Sequence, residues 1–236
     1  MKKLLALLLA AALITLSTGC SGNKAPDADN DQIDNNTDLQ TDVKEDTEAI
    51  TEEDTEEIIE ETAPSRGTIS GDVYENDYLG FKFTKPESWV YSTDEEIAAI
   101  MNVSADMLGA DYETILENNV AVWDMMARDT LTNTNISVCY ENLELTFASN
   151  ITEEQYIEAL KLQLAGVADM TVNFSDDIDT VTLGGTEFTR GICETTMSGV
   201  DMTQVYYLHK EGTYMTCVVV TLVSGYEIAD VEAMFE

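Results

Sequence analysis

Apolar positions along the chain change their spacing in a way that marks out successive elements. Leu4 to Leu16 is an almost unbroken apolar run. From there to about residue 68 no periodicity is sustained, and from residue 69 to Glu236 ordered patterns follow one another. Val73-Tyr-Glu, an Asn76-Asp77 turn and the alternating Gly80-Phe-Lys-Phe-Thr84 predict a hairpin closed by Pro86 to Trp89. Thr93 followed three residues later by Glu96 is a capping box, and Ile97, Ile100 and Met101 continue a helix behind it. A second helical stretch runs from Ser104 towards Leu116 with Gly109 as an interruption. Strands are predicted at about 120–128 and 134–141, with a further short one over Leu143 to Phe147.

Thr152 and Gln155 form a second capping box. Tyr156, Ile157, Leu160, Leu164 and Val167 fall on one face of the helix that it starts. Short β segments follow at Val172–Phe174 and Val181–Leu183, then long ones at about 186–197, 201–210 and 213–222. The turns between the long segments, Ser198-Gly199 and Glu211-Gly212, are too short for anything but antiparallel neighbours. Met215 to Leu222 is apolar on both faces, so that strand must be covered on both sides. A last helix is predicted from Tyr226 to Phe235. The expectation is one α+β domain over 69–236, with a mainly antiparallel sheet flanked by helices on both faces.

The apolar run at the start, preceded by Lys2 and Lys3, has the length of an export-signal core and is short for a bilayer span. Small residues follow it: Ser17, Thr18, Gly19, then Cys20. This stretch resembles a bacterial lipobox. The resemblance implies a signal peptide over 1–19, a diacylglyceryl thioether on Cys20, and a protein anchored at the outer face of a bacterial cytoplasmic membrane. Plain secretion is the alternative.

Charge separates the next segment from the rest. Residues 20–68 hold 16 acids against Lys24, Lys44 and Arg66, and no aromatic residue. A chain so polar and so charged cannot repay the entropy of ordering, so it is expected to be a disordered, extended tether. The run Asp27-Ala-Asp29-Asn-Asp31 begins like a calcium loop. Gln32 stands at the required glycine and Asp38 at the required glutamate, so a specific calcium site is rejected. The whole chain carries a formal charge of −35. That excess repels phosphate backbones and excludes a nucleic-acid partner.

The order hairpin, Gly80-Phe81-Lys82-Phe83 with Pro86 and Trp89, helix, strands, amphipathic helix, Val181-Thr-Leu-Gly-Gly185 and a three-strand meander ending in a helix resembles the PsbP-like fold. It is similar in particular to lipoproteins of that type in Gram-positive bacteria. The resemblance implies a non-catalytic binding role, since plant members of that fold are extrinsic photosystem subunits that bind without catalysing.

Candidate chemistry is sparse. His209, the one imidazole, lies near a strand end beside a turn, and no G-x-S-x-G or comparable nucleophile setting accompanies it. No catalytic, cofactor or metal residue is therefore assigned. Asp176, Asp177 and Asp179 read as a solvated turn. Gly184-Gly185 reads as a hairpin turn, with no helix after it to cradle a phosphate. With Cys20 given to lipid, Cys139, Cys193 and Cys217 cannot all pair, and a Cys193–Cys217 bridge is one option. Met101, Met107, Met125, Met126, Met197, Met202 and Met215 are expected in the core, with a soft apolar-ligand groove as the alternative. The leading expectation is a tethered interaction module for a basic protein or a cationic envelope component. A small apolar ligand, or a cell-envelope hydrolase activity, is the alternative.

Overall fold

The computed structural model describes residues 63–168 and 170–236. The apolar leader, Cys20, the Asp27–Asp31 run and nearly all of the acidic tract lie outside the described residues. What is described is an α+β domain in which every strand pairing is antiparallel.

Three short strands, β1 (Thr68–Ser70), β2 (Val73–Asn76) and β3 (Phe81–Thr84), form a small sheet. Alternation in β3 buries Phe81 and Phe83 and exposes Lys82 and Thr84. The main sheet runs in the order β4 (Trp89–Tyr91), β5 (Ala121–Asp129), β6 (Asn135–Asn142), β11 (Tyr214–Leu222), β10 (Val200–Glu211), β9 (Thr186–Met197) and β7 (Met170–Phe174). Strand β8 (Asp179–Leu183) shares the outer edge of β9 with β7. Phe174 pairs with Cys193 and Asp179 with Arg190, so four residues on one side oppose two on the other. The two strands thus continue one edge of β9, interrupted by residues 175–178. Strand β11 is central, and Met215 to Leu222 are buried without a break, as their two-sided apolar pattern requires.

Both capping boxes form. Thr93 accepts from the Glu96 amide and opens α1 (Asp94–Met101), and Thr152 accepts from the Gln155 amide and opens α4 (Glu153–Leu164). Tyr156, Ile157, Leu160 and Leu164 are the buried stripe of α4. Ile157 lies over Gly191, where a Cβ would stand 3.1 Å from its methyl, and Tyr156 meets Cys217. The alternate residues of the same strands meet other elements. Phe188 packs on Phe81, and Tyr207 donates to Glu232 at 2.9 Å. Phe235 docks on Phe81 and Phe83 with ring centroids 5.1 and 5.3 Å away, and Glu236 exchanges backbone hydrogen bonds with Lys82.

Several local expectations need correction. The second helical stretch is two helices, α2 (Ala105–Ala110) and α3 (Tyr112–Asn118), broken at Asp111 rather than at Gly109. Leu143 to Phe147 is a tight turn and not a strand: the Leu143 carbonyl accepts from the Thr146 and Ala148 amides. The last helix is only α5 (Ile228–Glu232), because the chain after it leaves to pair with β3. Strands β1 and β4, three residues each, carry too short a pattern to be read from sequence. Composition also sets the domain boundary slightly late. Arg66 already donates to the Leu108 carbonyl at 3.0 Å, and the Gly67 amide to Asp124 at 2.9 Å.

Candidate functional site

At the end of the sheet where β9 turns into β10 and β11 finishes, side chains of one face alternate into the open. Glu194 pairs with Thr203, Thr196 with Asp201, and Thr203 with Leu222. The Thr203 hydroxyl lies 3.2 and 3.1 Å from the two Glu194 oxygens, and Thr196 donates to Asp201 at 2.6 Å. Threonines thus hold both carboxylates in place while leaving them exposed. Opposite them, the 223–228 segment brings up Tyr226, Glu227 and Ile228. Tyr226 is fixed by the Trp89 indole, which donates to its hydroxyl at 2.8 Å. The result is an open groove of about 360 Å³ whose lining includes Glu194, Asp201 and Glu227 together with Leu222, Tyr226 and Ile228. Its volume is near the lower end of small-ligand sites. Three carboxylates beside an aromatic ring and an aliphatic side chain suit a cationic group.

The residues singled out from sequence do not converge there. His209 sits away from the groove, with Nδ1 3.0 Å from the Glu187 carbonyl and its ring beside Phe188. Asp179 is taken by Arg190 through two guanidinium contacts, and Arg190 also reaches Glu232 at 2.7 Å. The guanidinium holds the Asp179 carboxyl below its ordinary range. Among the described residues no group of three or more His, Cys, Asp or Glu side chains is placed to hold a metal ion. The Gly184-Gly185 turn lies against Phe81 and the Glu236 carbonyl.

The Cys193–Cys217 bridge does not form, and the topology explains why. Cys193 pairs with Gln204, and Gln204 with Thr221, so a whole strand separates β9 from β11. Two strand spacings come to roughly 9.5 Å, beyond the ~7 Å that a disulfide spans between Cα atoms. Cys217 instead faces Cys139 across β6 and β11, and all three thiols are free and buried. The methionines answer the alternative posed for them: Met125, Met126 and Met215 are core, and of the seven only Met202 borders the groove.

Two buried acids were not legible as special. Asp124 sits at the point in β5 where the register with β6 shifts between Trp123 and Met125. A bulge of this kind re-aims a side chain. One Asp124 oxygen accepts from the Tyr74 hydroxyl, from the Gly67 amide at 2.9 Å and from Asn76 at 3.1 Å. Asn76 also donates to Tyr140 at 2.8 Å. The second Asp124 oxygen has no partner in hydrogen-bonding geometry, although the Tyr112 phenol is close enough to favour its charge. Burial outweighs these donors and raises the Asp124 pKa. Glu141, at the end of β6, is 1% exposed, and neither of its oxygens meets a donor in good geometry. Desolvation pushes its carboxyl up to about 7, with the nearby Tyr156 opposing only in part. Both acids are sealed from solvent, so neither faces the groove.

No protein family and no curated protein matches the chain by sequence.

Proposed function

We propose that the protein is a lipid-anchored, non-catalytic interaction module of PsbP-like fold that takes a basic protein or a cationic envelope component. The observation that carries this reading is the groove, which three exposed carboxylates line together with Tyr226 and Ile228. Charge supports it. Residues 69–236 hold 30 acids against six bases. Of those bases Lys82, Lys85, Lys161 and Arg190 are already paired within the domain. The negative surface is left uncompensated, and it attracts cations over about a Debye length. The same reading has helices over both sheet faces, which is supported by the contacts of α4 with Cys217 and Gly191 and of α5 with Tyr207 and Arg190, on alternate side chains of the meander. Anchoring through Cys20 holds the module at the outer membrane face on an acidic tether, which confines its search to nearby partners.

Two experiments test the reading. Cys20→Ala should move the chain from the membrane fraction to the medium; unchanged membrane retention refutes the anchor. For binding, the full chain is immobilised, exposed to native envelope extract at low salt, and eluted with a salt gradient. Partners should leave stepwise with salt, and the variant Glu194→Gln/Asp201→Asn/Glu227→Gln should retain far less. Equal retention by that variant removes the groove from the account. If apolar metabolites co-purify and no partner is retained, the small-ligand alternative replaces it.

A further inference from the structure

At the far end of β11 from the groove, the turn after β6 carries an aromatic side chain in a place that folding does not favour. Phe147 is 98% exposed, and its backbone is left-handed, with φ at +59°. Glycine and asparagine fill such positions at low cost, whereas a bulky side chain is strained there and gains nothing from burial. The turn is nevertheless firmly built. The Leu143 carbonyl accepts from the Thr146 amide and hydroxyl and from the Ala148 amide, and the Phe147 amide donates to Glu144 at 3.1 Å. Asn142 accepts from the Glu144 amide at 3.1 Å. The base is tied down as well: the Leu143 amide donates to Thr213 at 2.9 Å, and Asn142 donates to the Leu116 carbonyl at 3.1 Å. A rigid turn therefore holds Phe147 outward, with Leu145, 42% exposed, on the same short segment.

The surroundings are acidic. Asn142 brings the end of α3 beside the turn, and with it the exposed Glu113 and Glu117. Tyr214, paired with Asn142, feels the charges of Glu117, Glu144 and Glu113 together, which places all three around this end of the sheet. None of the three is in an ion pair among the described residues.

We infer that Phe147 and Leu145 form a docking knob that enters an apolar pocket rimmed by lysine or arginine on a partner protein. The knob rests on the binding-module reading and adds to it a second contact surface, roughly 26 Å from the groove along the nine residues of β11. Charge selects the occupant. An anionic lipid surface would face three unpaired carboxylates, and so would a second copy of this chain. A basic rim neutralises them, and the pocket takes the ring out of water.

The test is photocrosslinking with the full chain on intact cells. Benzoyl-phenylalanine is placed at Phe147 and, as a control, at Leu131, which is 81% exposed on the β5–β6 turn. Position 147 should give a protein adduct that position 131 does not. Its yield should fall about tenfold in the Glu113→Gln/Glu117→Gln/Glu144→Gln variant and at high salt. An adduct with lipid, an adduct with another copy of the chain, the same adduct from both positions, or none at all overturns the inference. Retention in the groove experiment without a crosslink at 147 means that the module binds but the knob is wrong; loss of both removes the module itself. Phe147→Gly, which keeps the turn, separates docking from folding, since it should abolish partner capture while unfolding no earlier than the wild type.

Discussion

Glu141→Gln should stabilise the domain more at alkaline than at mildly acidic pH. Burial raises the folded-state pKa of Glu141 from the ordinary 4.5 to about 7. The folded chain therefore holds this proton more tightly than the unfolded chain. Stability contributed by the proton is complete below the unfolded pKa and is lost as pH rises through the folded one. At 1.36 kcal/mol per pH unit the full loss is about 3 kcal/mol. The comparison is best made at about pH 5.5, clear of the sequence pI near 4.1, and at about pH 8.5. Between these values the wild type should lose about 2 kcal/mol that the glutamine variant keeps. The amide has its own cost in a site without donors, but that cost is present at both pH values and cancels in the difference. So does repulsion among the other acids, which both proteins share. Urea unfolding reads the effect. With m of about 2 kcal/mol/M for a domain of this size, the gap between the two midpoints should widen by about 1 M. A gap that does not change with pH, or that narrows, refutes the reasoning and means that water or Tyr156 solvates the carboxylate in the folded state.

Asp124→Ala should cost about 3 kcal/mol, because it strands the Tyr74 hydroxyl, the Gly67 amide and Asn76 without their acceptor, while Asp124→Asn should cost less than half of that, both read from urea midpoints. Gly184→Ala should cost about 2–5 kcal/mol by calorimetry: φ is +64°, and the new Cβ would stand 2.5 Å from the Glu236 carbonyl and 2.9 Å from the Phe81 Cα. Thr152→Ala should cost about 1 kcal/mol through loss of the cap on α4, with no change in the pH profile. Phe147→Gly should raise stability by about 0.5–1 kcal/mol, and a loss of stability would mean that the ring packs on the body of the domain.

How much was legible from sequence depended on how local the cause was. Thr93 with Glu96 and Thr152 with Gln155 announced two helix starts, because a capping box closes within four residues. The three long strands were legible because Ser198-Gly199 and Gly212 fix left-handed turns between runs of nine residues or more. Leu143 to Phe147 misled because its apolar alternation imitates a strand, while its conformation is set by hydrogen bonds converging on one carbonyl. The groove was invisible for a different reason. Glu194, Asp201 and Glu227 are ordinary surface acids in a chain full of them; the β9–β10 register brings the first two together, and the 223–228 segment after β11 brings the third. Asp124 and Glu141 likewise look solvated in sequence; the bulge re-aims one inward, and pairing with Met215 and Ala121 near the end of β6 buries the other.

Glu141 and Phe147 lie six residues apart, and the order in which they occur carries an argument of its own. Glu141 sits opposite Met215 one residue before the end of β6, Asn142 pairs with Tyr214, and the turn that presents Phe147 starts at Leu143. A buried acid without donors and an exposed ring on a left-handed backbone are each what stability alone would remove, by very different substitutions. Such departures concentrate where a sequence answers to something besides folding. The groove shows no comparable cost, since its carboxylates are exposed and two of them, Glu194 and Asp201, are held by threonines. It can attract a cation without strain, and a surface that attracts without strain is suited to first encounter. The Phe147 turn is strained, rigid and apolar at its tip, which suits the slower contact that holds a partner once it has arrived. The two surfaces should therefore separate kinetically: charge removal at Glu194, Asp201 and Glu227 should slow association, and Phe147→Gly should speed release. Surface plasmon resonance with the crosslinked partner measures both, and an effect of Phe147→Gly confined to the association rate would reverse the assignment.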